Sequence, residues 1–130
     1  MEKGVLIMST GVLGKVYADG EVIIQQGAAG ECMFVIQSGQ VEIVQSTDYG
    51  EQHLASLRAG DFFGEMAVFE KEVRSATARA VGDARVLKID KKTLYRRLQE
   101  DPLLAVNLLK TMSHRIRVVS AQLALHEPDP

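Results

Sequence analysis

A single cysteine leaves no partner for an internal disulfide, and Cys32 stands beside the apolar run Met33-Phe34-Val35-Ile36. A disulfide scaffold is therefore excluded, and a buried, inert thiol in a reducing cytoplasm is expected. No apolar run reaches the length of a bilayer span, and Met1-Glu2-Lys3-Gly4-Val5-Leu6-Ile7-Met8 holds too short an apolar run for a secretory signal. The expectation is a soluble, cytoplasmic protein with no membrane partner. Basic charge is not in excess either: 15 Lys and Arg face 17 Asp and Glu, a formal net charge of -2. A large nucleic-acid footprint is not expected from that balance. Histidine is scarce, with only His53, His114 and His126 present. That is thin material for a metal centre built from converging histidines and a carboxylate, so no metal is expected. No local serine–histidine or cysteine–histidine pairing is recognisable, and no catalytic residue is assigned.

What is present is core material and regular punctuation. The chain has 130 residues, 46% of them hydrophobic, enough for one domain with its own core. Gly20, Gly30, Gly39, Gly50 and Gly60 separate short runs rich in Val, Ile and Phe. Turn signals at that spacing indicate many short antiparallel strands. The expected strands are 22–25, 33–38, 40–45, 53–57, 75–80 and 84–89, with Asp48-Tyr49-Gly50-Glu51 as a hairpin tip. Ala76, Ala78 and Ala80 alternate with polar residues, which puts a face of small side chains toward the interior or toward a ligand. After Ile89 the pattern turns helical. Asp90 is a suitable N-cap for a helix over 91–99, and Asp101-Pro102 opens a longer one. Along it, Leu109, Met112, Ile116, Val119 and Leu123 recur at heptad spacing. Such a seam serves either a homodimer or packing on the same chain.

The chemically suggestive segment is Phe63-Gly64-Glu65-Met66-Ala67-Val68-Phe69, followed by Arg74-Ser75-Ala76. Arginine offers a planar fork of donors matched to phosphate oxygens. A helix start adds free backbone amides, and glycine permits close approach of the main chain. Glu65 beside an anion needs a donor or a cation, and a sugar hydroxyl is an apt donor. The segment suits a small ligand carrying both a phosphate and a sugar hydroxyl. The plainer alternative is a turn with a surface Glu–Arg pair.

This segment resembles the phosphate-binding cassette of the cyclic nucleotide-binding domain family. Asp19-Gly20-Glu21-Val22-Ile23-Ile24-Gln25-Gln26-Gly27 resembles that family's early glycine-bounded strand. Met33 through Ile43 resembles its next strand, tight turn and following strand. Together with the C-terminal helix, the likeness covers about residues 13–126 and is closest to the sensor half of bacterial catabolite activator proteins. The implied fold is mainly β with C-terminal helices: an antiparallel, jelly-roll-like β-roll (a double-stranded β-helix), then a short helix and a long one. The implied organisation is a single domain over 1–130. Residues 1–13 are an unassigned lead-in, 14–89 the roll with its cassette at 63–76, and 90–126 the helices.

The resemblance implies non-catalytic binding of a cyclic nucleoside monophosphate, with cAMP favoured over cGMP. Gly64, Glu65, Met66 and Ala67 would wrap one side of it. Glu65 would accept the ribose 2′-hydroxyl, Arg74 would pair with the cyclic phosphate, and Ser75 would donate to the phosphate or the base. Ile43 and Leu54 align with the apolar wall of the pocket, a role compatible with being core. Arg115 reads either as a solvated helix cation or as the arginine that approaches the cassette glutamate. Ser120 falls where a partner subunit's helix offers a hydroxyl to the base, while Val119 replaces a base-reading threonine. The long helix would relay binding to an effector protein of unknown identity. With the chain ending at Pro130, direct DNA binding is not expected. The alternatives are a cupin-like metal-dependent enzyme and a dimerisation module with a degenerate pocket.

Overall fold

Alternating apolar and polar side chains favour extended chain wherever one face can be buried, and here they build two long strands rather than four short ones. The computed structural model describes residues 12–65, 68 and 73–126, with side chains as far as residue 115. Its strands are β1 (Lys15–Tyr17), β2 (Val22–Ile24), β3 (Cys32–Thr47), β4 (Gly50–Arg58), β5 (Phe62–Phe63) and β6 (Thr77–Asp90). Two helices follow, α1 (Lys91–Glu100) and α2 (Pro102–His126). The six strands form one sheet in the order β1-β6-β3-β4, with β2 also on β6 and β5 also on β3. All pairings are antiparallel. This is the mainly β, jelly-roll-like architecture with C-terminal helices that the sequence led us to expect.

Gly39 departs from that expectation. No turn separates two strands there, and β6 is likewise continuous across Val81–Asp83. Met33–Ile36 pairs with Val86–Ile89, Gln40–Val44 pairs with Thr77–Val81, and the register shifts on either side of Ser38. The feature is a bulge, which bends both strands without ending them. Gly39 is required for two reasons. Its φ is +83°, and a Cβ would lie 2.3 Å from the carbonyl oxygen of Asp83 on the facing strand. A glycine marks a turn and a close backbone approach alike, so the sequence pattern did not separate them.

Inside the bend lie Ile24, Phe34, Ile36, Val41, Phe63, Ala78, Ala80, Ala84 and Val86. Ala78 and Ala80 thus take the small-residue role expected of them. Between them Arg79 points outward, joining Glu42 of β3 and making two hydrogen bonds to Glu51 of β4, at 2.6 and 3.1 Å. These bonds hold the Glu51 carboxyl below its ordinary pKa. The β3–β4 hairpin closes over Asp48-Tyr49, with Gly50 already in β4 opposite Thr47.

Both helix starts follow their capping residues. The Asp90 carboxylate accepts the Thr93 amide at 2.7 Å, and the Asp101 carboxylate accepts that of Leu103 at 3.1 Å. Caps of this kind contribute about 1 kcal/mol each. The chain divides into two units, Met1–Leu94 and Tyr95–Pro130. Leu94 is buried in the first. On α2, Leu104 and Leu108 are buried, whereas Leu103, Val106 and Leu109 are exposed. Of the heptad seam, Leu109 is 66% exposed and Met112 half-buried. The side chains of Ile116, Val119 and Leu123 lie outside the described residues. Among those described, no helix is long and apolar enough to cross a membrane.

Candidate functional site

The site begins where β5 ends. Phe62 and Phe63 are buried and pair with Val35 and Phe34 of β3. The rings of Phe34 and Phe63 stack with centroids 5.3 Å apart. Gly64, at φ +78°, then turns the chain out of the sheet. Glu65 is half-buried and in helical conformation, as is Val68, whose side chain is fully buried. That anchor fixes the turn against the core. Met66 and Ala67 lie outside the described residues.

Arg74 is held at both its main chain and its tip. Its amide donates to the Ala28 carbonyl, and its own carbonyl accepts the Gly27 amide, both at 2.8 Å. The guanidinium donates through Nη1 to the Gly64 carbonyl at 2.8 Å and through Nη2 to the Cys32 carbonyl at 2.6 Å. Its central carbon lies 5.9 Å from the centre of the Phe34 ring. Burial pushes the pKa of Arg74 down, opposed by Cys32 and then by the Glu65 carboxylate. An arginine starts too high for such a shift to remove its charge. The structure therefore brings Gly64, Glu65 and Arg74 together around one turn.

Ser75 is exposed, and its carbonyl accepts the Gln45 side-chain amide at 3.1 Å. Gln26 reinforces the same corner. Its side chain bonds both the amide and the carbonyl of Ser46, at 2.8 and 3.3 Å, while its own amide donates to the Thr77 hydroxyl at 3.0 Å. Ile43 is half-buried against the core cluster. Leu54 is 50% exposed and falls where β3 and β4 shift register, between Ile43 and Val44. Arg115 is half-buried on α2, in the second unit, and Ser120 is also on α2 with its side chain outside the described residues. Cys32 is half-buried rather than fully enclosed.

Sequence reasoning missed the Gly27–Cys32 loop as part of this site. The carbonyls of Ala28 and Cys32 bind Arg74, yet a carbonyl is common to every residue type. The only signal was the small-residue run Gly27-Ala28-Ala29-Gly30. Among the described residues, no group of three or more His, Cys, Asp or Glu could hold a metal ion.

Comparison with known proteins places this geometry in context. The sequence model of the cyclic nucleotide-binding domain matches residues 14–101. The chain is 40% identical over 83 residues to the cAMP-dependent protein kinase regulatory subunit of Blastocladiella emersonii, covering 63% of this chain and 21% of that one. It is 31% identical over 112 residues to the Cyclic AMP receptor protein of Thermus thermophilus, covering 85% and 52%. The chain thus spans about half or less of the length of these curated relatives. In three dimensions it is similar to the Thermus thermophilus catabolite activator protein, with a TM-score of 0.81 at 30% identity, covering 92% of this chain and 57% of the other. The cAMP-bound and cGMP-bound forms of the EAL enzyme Bd1971 each match with a TM-score of 0.61 at 30% identity, covering 85% of this chain and 30% and 31% of theirs. A six-stranded roll, a glycine-opened turn bearing Glu65, and Arg74 packed against that turn agree with the match over residues 14–101: the chain belongs to the cyclic nucleotide-binding domain family.

Proposed function

We propose that this domain binds a cyclic nucleoside monophosphate without transforming it, and that it favours cAMP over cGMP. The observation that carries the reading is the setting of Arg74. It is a partly desolvated cation lodged against the carbonyl that opens the Glu65 turn, with the Glu65 carboxylate near enough to act on its charge. In the bound state Arg74 pairs with the cyclic phosphate and Glu65 accepts the ribose 2′-hydroxyl. Gly64 lines the same side, Ser75 donates to the phosphate or base, and Ile43 and Leu54 supply apolar wall; for Met66 and Ala67 the assignment to the ligand rests on the family resemblance alone. The preference for adenine is supported by the names of the kinase subunit and the receptor protein. Base choice needs a direct measurement, because Bd1971 has been solved with either nucleotide. Paired calorimetric titrations are expected to show saturable binding of both, tighter for cAMP. Tighter binding of cGMP would reverse the assignment. No binding of either at about 1 mM, an interaction worth under about 4 kcal/mol, would end it.

On the same reading α2, which carries Arg115 and Ser120, reports occupancy to an effector protein, and its heptad seam joins two copies of the chain. Leu109, a large apolar residue left exposed on that helix, supports the second part. A ligand shifts such a helix only by binding one of its positions better than another. Sedimentation at micromolar concentration is expected to give the dimer mass, and hydrogen exchange along α2 is expected to slow when cAMP is added. A strict monomer removes the dimer. Unchanged exchange reduces the domain to a passive binder.

A further inference from the structure

Most glycines at the bends of this chain have backbone reasons to be glycine. Gly27 has a φ of +87° and open space where a side chain would project. At Gly14 a Cβ would collide with the main chain of β6, 2.3 Å from the Val86 carbonyl oxygen. Gly30 differs from both. Its φ lies outside the left-handed region, so any residue could adopt its backbone conformation. The nearest atoms that a Cβ would meet there are all in the guanidinium of Arg74: Nη2 at 2.6 Å, Nε at 2.8 Å and Cζ at 2.9 Å.

We infer that Gly30 is a positioning residue for Arg74: by lacking a side chain it opens the slot in which the guanidinium is held between the carbonyls of Gly64 and Cys32. This rests on the reading of Arg74 as the phosphate ligand, and it extends the binding machinery to a loop outside the 63–76 cassette. The two carbonyls engage one N–H on each terminal nitrogen. A guanidinium has five N–H groups, and its hydrogen bonds to carbonyls of the described residues engage two of them. A fork oriented in advance loses less rotamer freedom on binding. The three atoms that a methyl group at position 30 meets first all belong to the end of a flexible side chain, so the guanidinium is the group that moves. Side-chain size at position 30 therefore grades affinity, with no charge or ligand contact altered.

The test compares Gly30→Ala and Gly30→Val in the full chain, with cAMP as titrant. Thermal unfolding is followed alongside, and NMR follows the Arg74 Nε–H cross-peak without nucleotide. Affinity is expected to fall by about 30-fold for Gly30→Val, the weakening that follows from displacing a charge-assisted partner, and by less for Gly30→Ala. The Arg74 cross-peak is expected to move in both variants while backbone signals of β4 keep their positions. An affinity within about twofold of wild type for a folded Gly30→Val, or an unmoved cross-peak, overturns the inference. Should Gly30→Val unfold, the cross-peak of Gly30→Ala decides in its place. Should the unaltered chain bind no cyclic nucleotide, the proposed function fails separately, and the cross-peak still decides whether Gly30 holds the guanidinium.

Discussion

Arg74→Ala is expected to abolish cyclic nucleotide binding at practical concentrations while the domain remains folded. Truncating one partner of a desolvated charge pair costs about 2–5 kcal/mol, which weakens binding by about 30- to 5,000-fold. The fold should survive because the ties that close the site at this residue belong to the main chain. The Arg74 amide still reaches Ala28, and its carbonyl still accepts from Gly27. What the fold loses is the pair of guanidinium bonds to Gly64 and Cys32. Both acceptors lie in half-buried residues that water can partly serve, so the expected loss of stability is about 1–3 kcal/mol. Arg74→Lys makes a useful comparison. An ammonium is a point charge that can neither bridge both carbonyls nor present a fork, so it should keep part of the attraction and little of the affinity. Calorimetry with thermal unfolding separates the two effects. A folded Arg74→Ala that binds cAMP almost as the unaltered chain does would remove Arg74 from the site.

The meeting of Gly64, Glu65 and Arg74 was legible in the sequence because it is local: these residues lie within one short segment, and the structure brings them together around one turn. The groups that hold Arg74 were not legible, since the carbonyls of Cys32 and Gly64 could come from any residue. Gly30 was read as punctuation, the commonest reason for a glycine between strands. The helices were legible to within a residue, because Asp90 and Asp101-Pro102 are capping signals with a direct mechanism. β1 was not, because Lys15-Val16-Tyr17 offers hardly any buried face to produce alternation. β5 is a strand of two residues, Phe62–Phe63, and periodicity cannot register that length. Leu54 falls at the shift between Ile43 and Val44 and is 50% exposed, while Ala55 and Leu57 are the half-buried residues of β4.

The bulge at Gly39 gives the largest expected effect on stability. Gly39→Ala introduces two faults together. A non-glycine residue at a φ of +83° is strained by about 1–3 kcal/mol. The added Cβ would also lie 2.3 Å from the Asp83 carbonyl oxygen and 2.9 Å from the Ala84 Cα. Those are main-chain atoms of β6, which is tied to β3 on both sides of the bulge, so they cannot swing aside as a side-chain tip would. Forcing the strands apart adds about 1–3 kcal/mol more. The sum is a large share of the stability of an ordinary small domain. For one of this size a loss of about 3 kcal/mol lowers the melting temperature by roughly 10–20 °C. Gly50→Ala is the matched control, since Gly50 has a φ of +110° but nothing within 4 Å of its absent side chain. It carries the backbone strain without the collision and should melt well above Gly39→Ala. If the two variants melt together, backbone conformation alone explains Gly39, and the close approach of β3 to β6 is not what requires glycine there.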